Sequence, residues 1–93
     1  KPTTLLVNTC RGKVIDQVAL TKTLTQKRIL GAALDVQEQE PPDPNDPILK
    51  LNNVLFTPHS AGVTFDTWSR RGEFVFQNLQ AVWENRAPQA VVS

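Results

Sequence analysis

One cysteine, one histidine, four glycines and no methionine stand among the 93 residues of this chain. A lone cysteine, Cys10, closes no disulfide within the chain, so a reducing, cytoplasmic setting is expected. The glycines, at positions 12, 31, 62 and 72, lie too far apart to form a G-x-G-x-x-G phosphate-binding turn. Long apolar runs are missing too. None nears the ~18 residues of a membrane span, and no signal-peptide pattern opens the chain, so no membrane partner is expected. Neither sign of charge dominates: ten Lys and Arg against nine Asp and Glu leave +1. That balance excludes the broad basic footprint of an electrostatic nucleic-acid binder. No metal is called for either. With no methionine, and with an apolar run that starts almost at once, the chain reads as a piece of something longer.

What remains has the balance of a soluble globular domain, with 40% hydrophobic and 20% charged residues, at a length near the lower limit for burying a core alone. Three apolar runs suit short strands: "TLLVNT" at 4–9, "ILGAALDV" at 29–36 and "NVLFT" at 53–57. The second is continuous, the pattern of a strand covered on both faces, and the first also reads as buried. Between them, Asp16 is placed to cap a helix that runs to about Gln26. The segment "TQKRI" lacks the usual terminal glycine, so a non-glycine residue is expected to turn left-handed there. Four of the seven prolines fall in 37–50, which reads as a loop with little regular structure. From about Thr64 a long helix is predicted, with Phe65, Trp68, Gly72, Val75, Leu79 and Val82 on one stripe widened by Phe76 and Trp83. Pro88 is the expected stop, and Gly72 marks a place for close backbone approach.

Strand, helix, strand, loop, strand reads as an α/β fold with parallel strands, and ligands of such sheets bind beyond the carboxyl ends of the strands. The three ends are "NTCRG", "DVQEQE" and "TPHS". If they share one edge, Arg11, a carboxylate from Asp35, Glu38 or Glu40, and His59 converge. An arginine fork holds a carboxylate in a bidentate way, and a histidine exchanges a proton near neutral pH. A carboxylate beside that histidine favours the imidazolium and fixes the tautomer. Such a set suits chemistry on a 2-hydroxy or 2-keto acid. Each residue alone is more simply a surface charge or a strand-end polar residue, and Cys10 is more simply a packing residue.

The segments "LLVNTCRGKVIDQVAL", "RILGAALDVQEQEP" and "LNNVLFTPHSAG" resemble, in order and spacing, three motifs of the NAD-dependent D-isomer-specific 2-hydroxyacid dehydrogenases. The resemblance runs from about Leu5 to Gly62. It implies that Arg11 binds the substrate carboxylate, that Glu40 pairs with the catalytic imidazole, and that His59 is the general acid and base. It also implies that Asp35 approaches the nicotinamide carboxamide, and that main chain from Thr9, Cys10 and Arg11 and from His59, Ser60, Ala61 and Gly62 borders the cofactor. The cofactor implied is NAD, with NADP left open, and the assembly implied is a homodimer. On this reading residues 1–62 are the C-terminal part of a Rossmann-type dinucleotide-binding domain, with three strands and a crossover helix. Residues 63–93 are a long helix and tail returning toward the substrate domain. The sequence departs from the family pattern at Cys10 and Gln37. The phosphate-binding turn and the acidic residue that reads the ribose are absent from it.

Glyoxylate or hydroxypyruvate reductases and phosphoglycerate dehydrogenases all fit. The short tail after the helix favours the former. Corepressor relatives that sense dinucleotide keep the same three residues and stay open as an alternative, as does an inactive structural fragment. The formate dehydrogenase branch carries glutamine where this chain has Glu40, which argues against it.

Overall fold

The computed structural model describes residues 1–92. Its elements are β1 (Leu5–Asn8), α1 (Gln17–Thr25), β2 (Gly31–Leu34), β3 (Val54–Phe56) and α2 (Phe65–Trp83), with short 3-10 turns at Gly12–Val14 and Pro47–Lys50. The second turn lies inside the proline-rich stretch expected to lack regular structure. There Asp46 accepts the Ile48 N–H, and Pro47 needs no donor at the first position of the turn. The chain divides into two compact units, Lys1–Ala61 and a second from Gly62 onward.

In the first unit the strands lie in the order β1-β2-β3, all parallel. The register sets Leu6 beside Ala32 and Ala32 beside Val54, and likewise Asn8 beside Leu34 and Leu34 beside Phe56. These residues share a face because side chains alternate along a strand. That face packs with Leu20 and Leu24 of α1 and with Ile48, and both Leu24 and Ile48 are fully enclosed. Burying a side chain of that size contributes roughly 1.5–3 kcal/mol. The other face carries Leu5 and Val7, which are 65% and 69% exposed, and Leu55. The expectation of a buried first strand is therefore half right. A continuous apolar run does not reveal whether one face or both will be covered.

Helix α1 begins where Asp16 accepts the Ala19 N–H at 2.9 Å. It ends in a Schellman motif: the Arg28 N–H reaches the Thr23 carbonyl, the Lys27 N–H reaches that of Leu24, and Lys27 sits at φ 53°. A non-glycine residue does turn left-handed there, as the missing glycine required.

In the second unit, α2 starts with the Thr64 hydroxyl accepting the Thr67 N–H. Its stripe of Phe65, Trp68, Val75, Leu79 and Val82 is exposed, and of its residues Ala81 is buried. Two expectations are corrected. The helix stops at Trp83, ahead of Pro88, because Asn85 turns left-handed at φ 54° and the Arg86 N–H closes on the Ala81 carbonyl. Asparagine tolerates that conformation, so it ends the helix before proline can. A Cβ built on Gly72 meets nothing within 4 Å among the described residues, so no close backbone approach explains that glycine.

Lys27 carries the strain of a left-handed residue with a Cβ, and glycine would relieve it. Lys27→Gly is expected to stabilise the intact protein by about 0.5–1 kcal/mol, measured by urea unfolding. A loss of stability would show that Lys27 makes a compensating contact.

Candidate active site

Each strand end is shaped by a side chain that binds main chain. At the end of β1 the buried Asn8 amide accepts the Cys10 N–H at 3.1 Å and donates to the Arg11 carbonyl at 3.0 Å. This asparagine turn closes the chain and delivers Arg11 to the carboxyl edge. The Arg11 guanidinium gives one N–H to the Cys10 carbonyl at 2.8 Å, and its side chain is exposed. A guanidinium has five donors, so most of its fork stays open toward the cleft.

Beyond β2, Asp35 is buried, at 6% exposure. Its carboxylate accepts the Thr57 hydroxyl, the Ser60 N–H at 2.8 Å and the Ala61 N–H at 2.9 Å. The Thr57 hydroxyl bond, chiefly, and then the two main-chain donors hold this carboxyl below its ordinary 3.8, against the opposing effect of burial. Asp35 thus closes the turn that follows β3. In that turn the His59 N–H reaches the Thr57 carbonyl at 3.0 Å, and His59 itself sits at φ 54°. A non-glycine residue held left-handed costs on the order of 1–3 kcal/mol and persists where its surroundings over-determine it.

Glu40 completes the set. One of its oxygens accepts the Gln37 N–H at 3.0 Å, and the other meets His59 Nδ1 at 2.8 Å. The Gln37 N–H, then the imidazole, and by a smaller effect the Arg11 charge, keep the Glu40 carboxyl below its ordinary 4.5. With Nδ1 committed to the carboxylate, Nε2 is the imidazole atom left to exchange a proton. Glu40 and His59 remain 39% and 49% exposed, so the pair is open to a ligand.

Arg11, Lys13, Glu38, Glu40 and His59 line one cleft of about 320 Å³, together with Gly12 and Gln37. A larger hollow of about 430 Å³ runs past Pro2, Leu24, Leu30 and Asn53 and carries neither carboxylate nor imidazole. The guanidinium, the Glu40 carboxylate and the imidazole share the smaller one. Of the three acidic residues considered, Glu40 pairs with the imidazole, Glu38 lines the cleft, and Asp35 is turned into the loop. Thr9 and Cys10 are exposed past β1, whereas the N–H groups of Ser60 and Ala61 are taken by Asp35. Gly62 opens the second unit.

Sequence reasoning missed three residues that build this arrangement: Asn8, Gln17 and Thr57. A buried asparagine just before a turn is a legible signal. The other two act over long range. Gly12 explains itself only in three dimensions, since a Cβ there would lie 1.9 Å from the Gln37 carbonyl oxygen.

A parallel α/β sheet with its polar residues gathered at the carboxyl edge is a nucleotide-binding type of fold. The family described as D-isomer specific 2-hydroxyacid dehydrogenase, NAD binding domain, matches residues 1–61. A glyoxylate reductase of Korarchaeum cryptofilum is 50% identical over 93 residues, which are 100% of this chain and 28% of that protein. A D-3-phosphoglycerate dehydrogenase of Archaeoglobus fulgidus is 39% identical over 75 residues, 81% of this chain and 14% of the relative. Among solved structures, an acyclic imino acid reductase in complex with NADPH and D-Arg superposes with a TM-score of 0.89 at 35% identity, covering 100% of this chain and 29% of that one. An NADPH-dependent glyoxylate/hydroxypyruvate reductase from Sinorhizobium meliloti gives 0.76 at 36% identity, covering 88% and 26%. The chain belongs to the D-isomer-specific 2-hydroxyacid dehydrogenase family, in its NAD-binding domain. It spans 28% of the length of the glyoxylate reductase from Korarchaeum.

The depressed Asp35 carboxyl sets a sign for stability against pH. A carboxylate whose folded value lies below its unfolded one stabilises the protein above the unfolded value, and that contribution is lost as pH falls through the folded value. The window therefore opens below about 3.8. Asp35→Asn is expected to lower the thermal midpoint of the intact protein at pH 7 and to flatten its decline within that window. An unchanged acid slope in the variant would show that Asp35 is not the group responsible.

Proposed function

We propose that the intact protein is an oxidoreductase that moves a hydride between a nicotinamide dinucleotide and a small 2-keto or D-2-hydroxy acid. Glyoxylate and hydroxypyruvate are the substrates favoured, because relatives so named match the whole chain or most of it. The observation that carries the reading is the cleft in which an open guanidinium stands with a carboxylate-held imidazole.

The residues present fit the reacting end of such a cofactor, since an exposed Thr9–Cys10 main chain flanks a cleft furnished with one proton-exchanging group and one anion-binding group. They offer no glycine turn for its pyrophosphate. When bound, the nicotinamide supplies the hydride. Thr9, Cys10 and Arg11, the segment from His59 to Ala61, and Asp35 through the turn it holds would border that end of the cofactor. NAD and NADP both suit the residues in hand, and relatives with NADPH support the second.

Arg11 grips the substrate carboxylate with its fork, which leaves the keto carbon oriented beside His59. The His59 Nε2–H donates to the carbonyl oxygen as it becomes an alkoxide, while Glu40 keeps Nδ1 protonated and the ring from rotating. In the reverse direction Nε2 takes that proton back. Glu40 suits the role of anionic partner, since the Gln37 N–H and the imidazole hold its carboxyl below its ordinary value. Residues 1–62 are then part of the dinucleotide-binding domain, and residues 63–93 lead toward the substrate domain, in a cytoplasmic homodimer.

Reduction of glyoxylate or hydroxypyruvate by the intact protein, followed as kcat and KM against pH, tests the assignment. His59→Ala is expected to lower kcat by about 10²- to 10⁴-fold with a lost pH dependence. Arg11→Ala should raise KM strongly and reduce kcat as well, because the anchor also orients the keto carbon. A His59→Ala enzyme that keeps the parental rate and pH profile sinks the mechanism.

A further inference from the structure

Both polar atoms of the Gln17 side chain are bound to segments far away in the chain. Its Nε2 donates to Asp46 Oδ2 at 2.7 Å, and its Oε1 accepts the Glu38 N–H at 3.2 Å. Neither partner belongs to α1, where Gln17 is the first residue. Asp46 is in turn fixed by the Ile48 N–H at 2.9 Å on its other oxygen, and Ile48 is fully buried. The side chain therefore ties both ends of the 38–46 loop to the core.

The peptide it holds adjoins the one whose N–H binds Glu40. Glu38 N–H and Gln37 C=O belong to a single planar peptide group. Gln17 takes its N–H side, and its carbonyl oxygen lies so close to Gly12 that a Cβ there would sit 1.9 Å away. The preceding amide, Gln37 N–H, binds Glu40 Oε1, whose other oxygen holds His59. Fixing that plane restrains the peptide before it, whose Gln37 N–H meets the Glu40 carboxylate, and through that carboxylate the imidazole.

We infer that Gln17 is a positioning residue for the acid–base pair: it orients the Gln37–Glu38 peptide so that Glu40 holds His59 in the reactive geometry. This rests on the reading of His59 as proton donor. The amide has a direction, donor toward Asp46 and acceptor toward Glu38, and that direction supplies the test. Gln17→Glu turns the donor into a second carboxylate facing Asp46, and like charges at that distance repel. Asp46→Asn on the same background restores the pair with its polarity reversed. The new amide donates to the new carboxylate, its carbonyl oxygen still accepts the Ile48 N–H, and the Glu38 N–H still finds an acceptor.

Three forms of the intact protein are compared: parental, Gln17→Glu, and Gln17→Glu with Asp46→Asn. Two quantities are read, kcat and KM for glyoxylate and the low-field proton signal of the imidazole N–H bound to Glu40, assigned by its loss in His59→Gln. Gln17→Glu is expected to lower kcat by roughly 10- to 100-fold and to remove the signal, with KM changed by no more than about twofold. The paired variant regains both. A Gln17→Glu protein with parental kcat and signal overturns the inference, and so does a pair no better than the single variant. Should Gln17→Glu alone fail to fold, the pair decides by the same two readings. If the parental protein does not reduce keto acids, the proposed function fails, and the proton signal by itself still tests what Gln17 does.

Discussion

Most of the site depends on one buried carboxylate. Asp35 leaves the central strand, and its two oxygens take up the Thr57 hydroxyl and the N–H groups of Ser60 and Ala61. Those bonds pin the turn after β3 on either side of His59, whose own N–H reaches the Thr57 carbonyl and whose ring meets Glu40. The strain at His59 is sustained because the residues on both sides of it are pinned to the neighbouring strand. Asp35 thus shapes the main chain that carries His59.

The second constraint is the absence of a side chain. The loops leaving β1 and β2 pass so closely that only glycine fits at position 12. Gly12 follows Arg11 directly, and the peptide it touches leads into Glu40. That contact holds the loop carrying Arg11 against the loop that leads to Glu40. Glu40 then joins that loop to the turn fixed by Asp35 through its 2.8 Å contact with His59. Within the first unit these contacts join the three strand ends along one edge.

Much of this was legible from the residues because parallel strands put their carboxyl ends together, so Arg11, His59 and one of Asp35, Glu38 or Glu40 could be gathered from order alone, and the family resemblance singled out Glu40. The start of α1 at Asp16 and the left-handed turn at Lys27 were legible because caps are local. Gln17 was not, since its partners lie 21 and 29 residues away and nothing in its neighbourhood announces them. One-sided burial of β1 was hidden too, because Leu5, Leu6 and Val7 are apolar on both faces and their pattern holds no alternation. At the end of α2, proline is the louder signal, yet Asn85 acts first.

On the proposed function these strand ends make one site, in which Arg11 anchors a carboxylate while His59 addresses the neighbouring oxygen. A crystal structure of the intact protein with oxalate, a 2-keto acid mimic that accepts no hydride, checks this. One oxalate carboxylate is expected within hydrogen-bond reach of the Arg11 guanidinium, with an oxygen of the other facing His59 Nε2 and Glu40 still on Nδ1. Oxalate seated away from Arg11, or an imidazole released from Glu40 with Nε2 turned from the ligand, would contradict it.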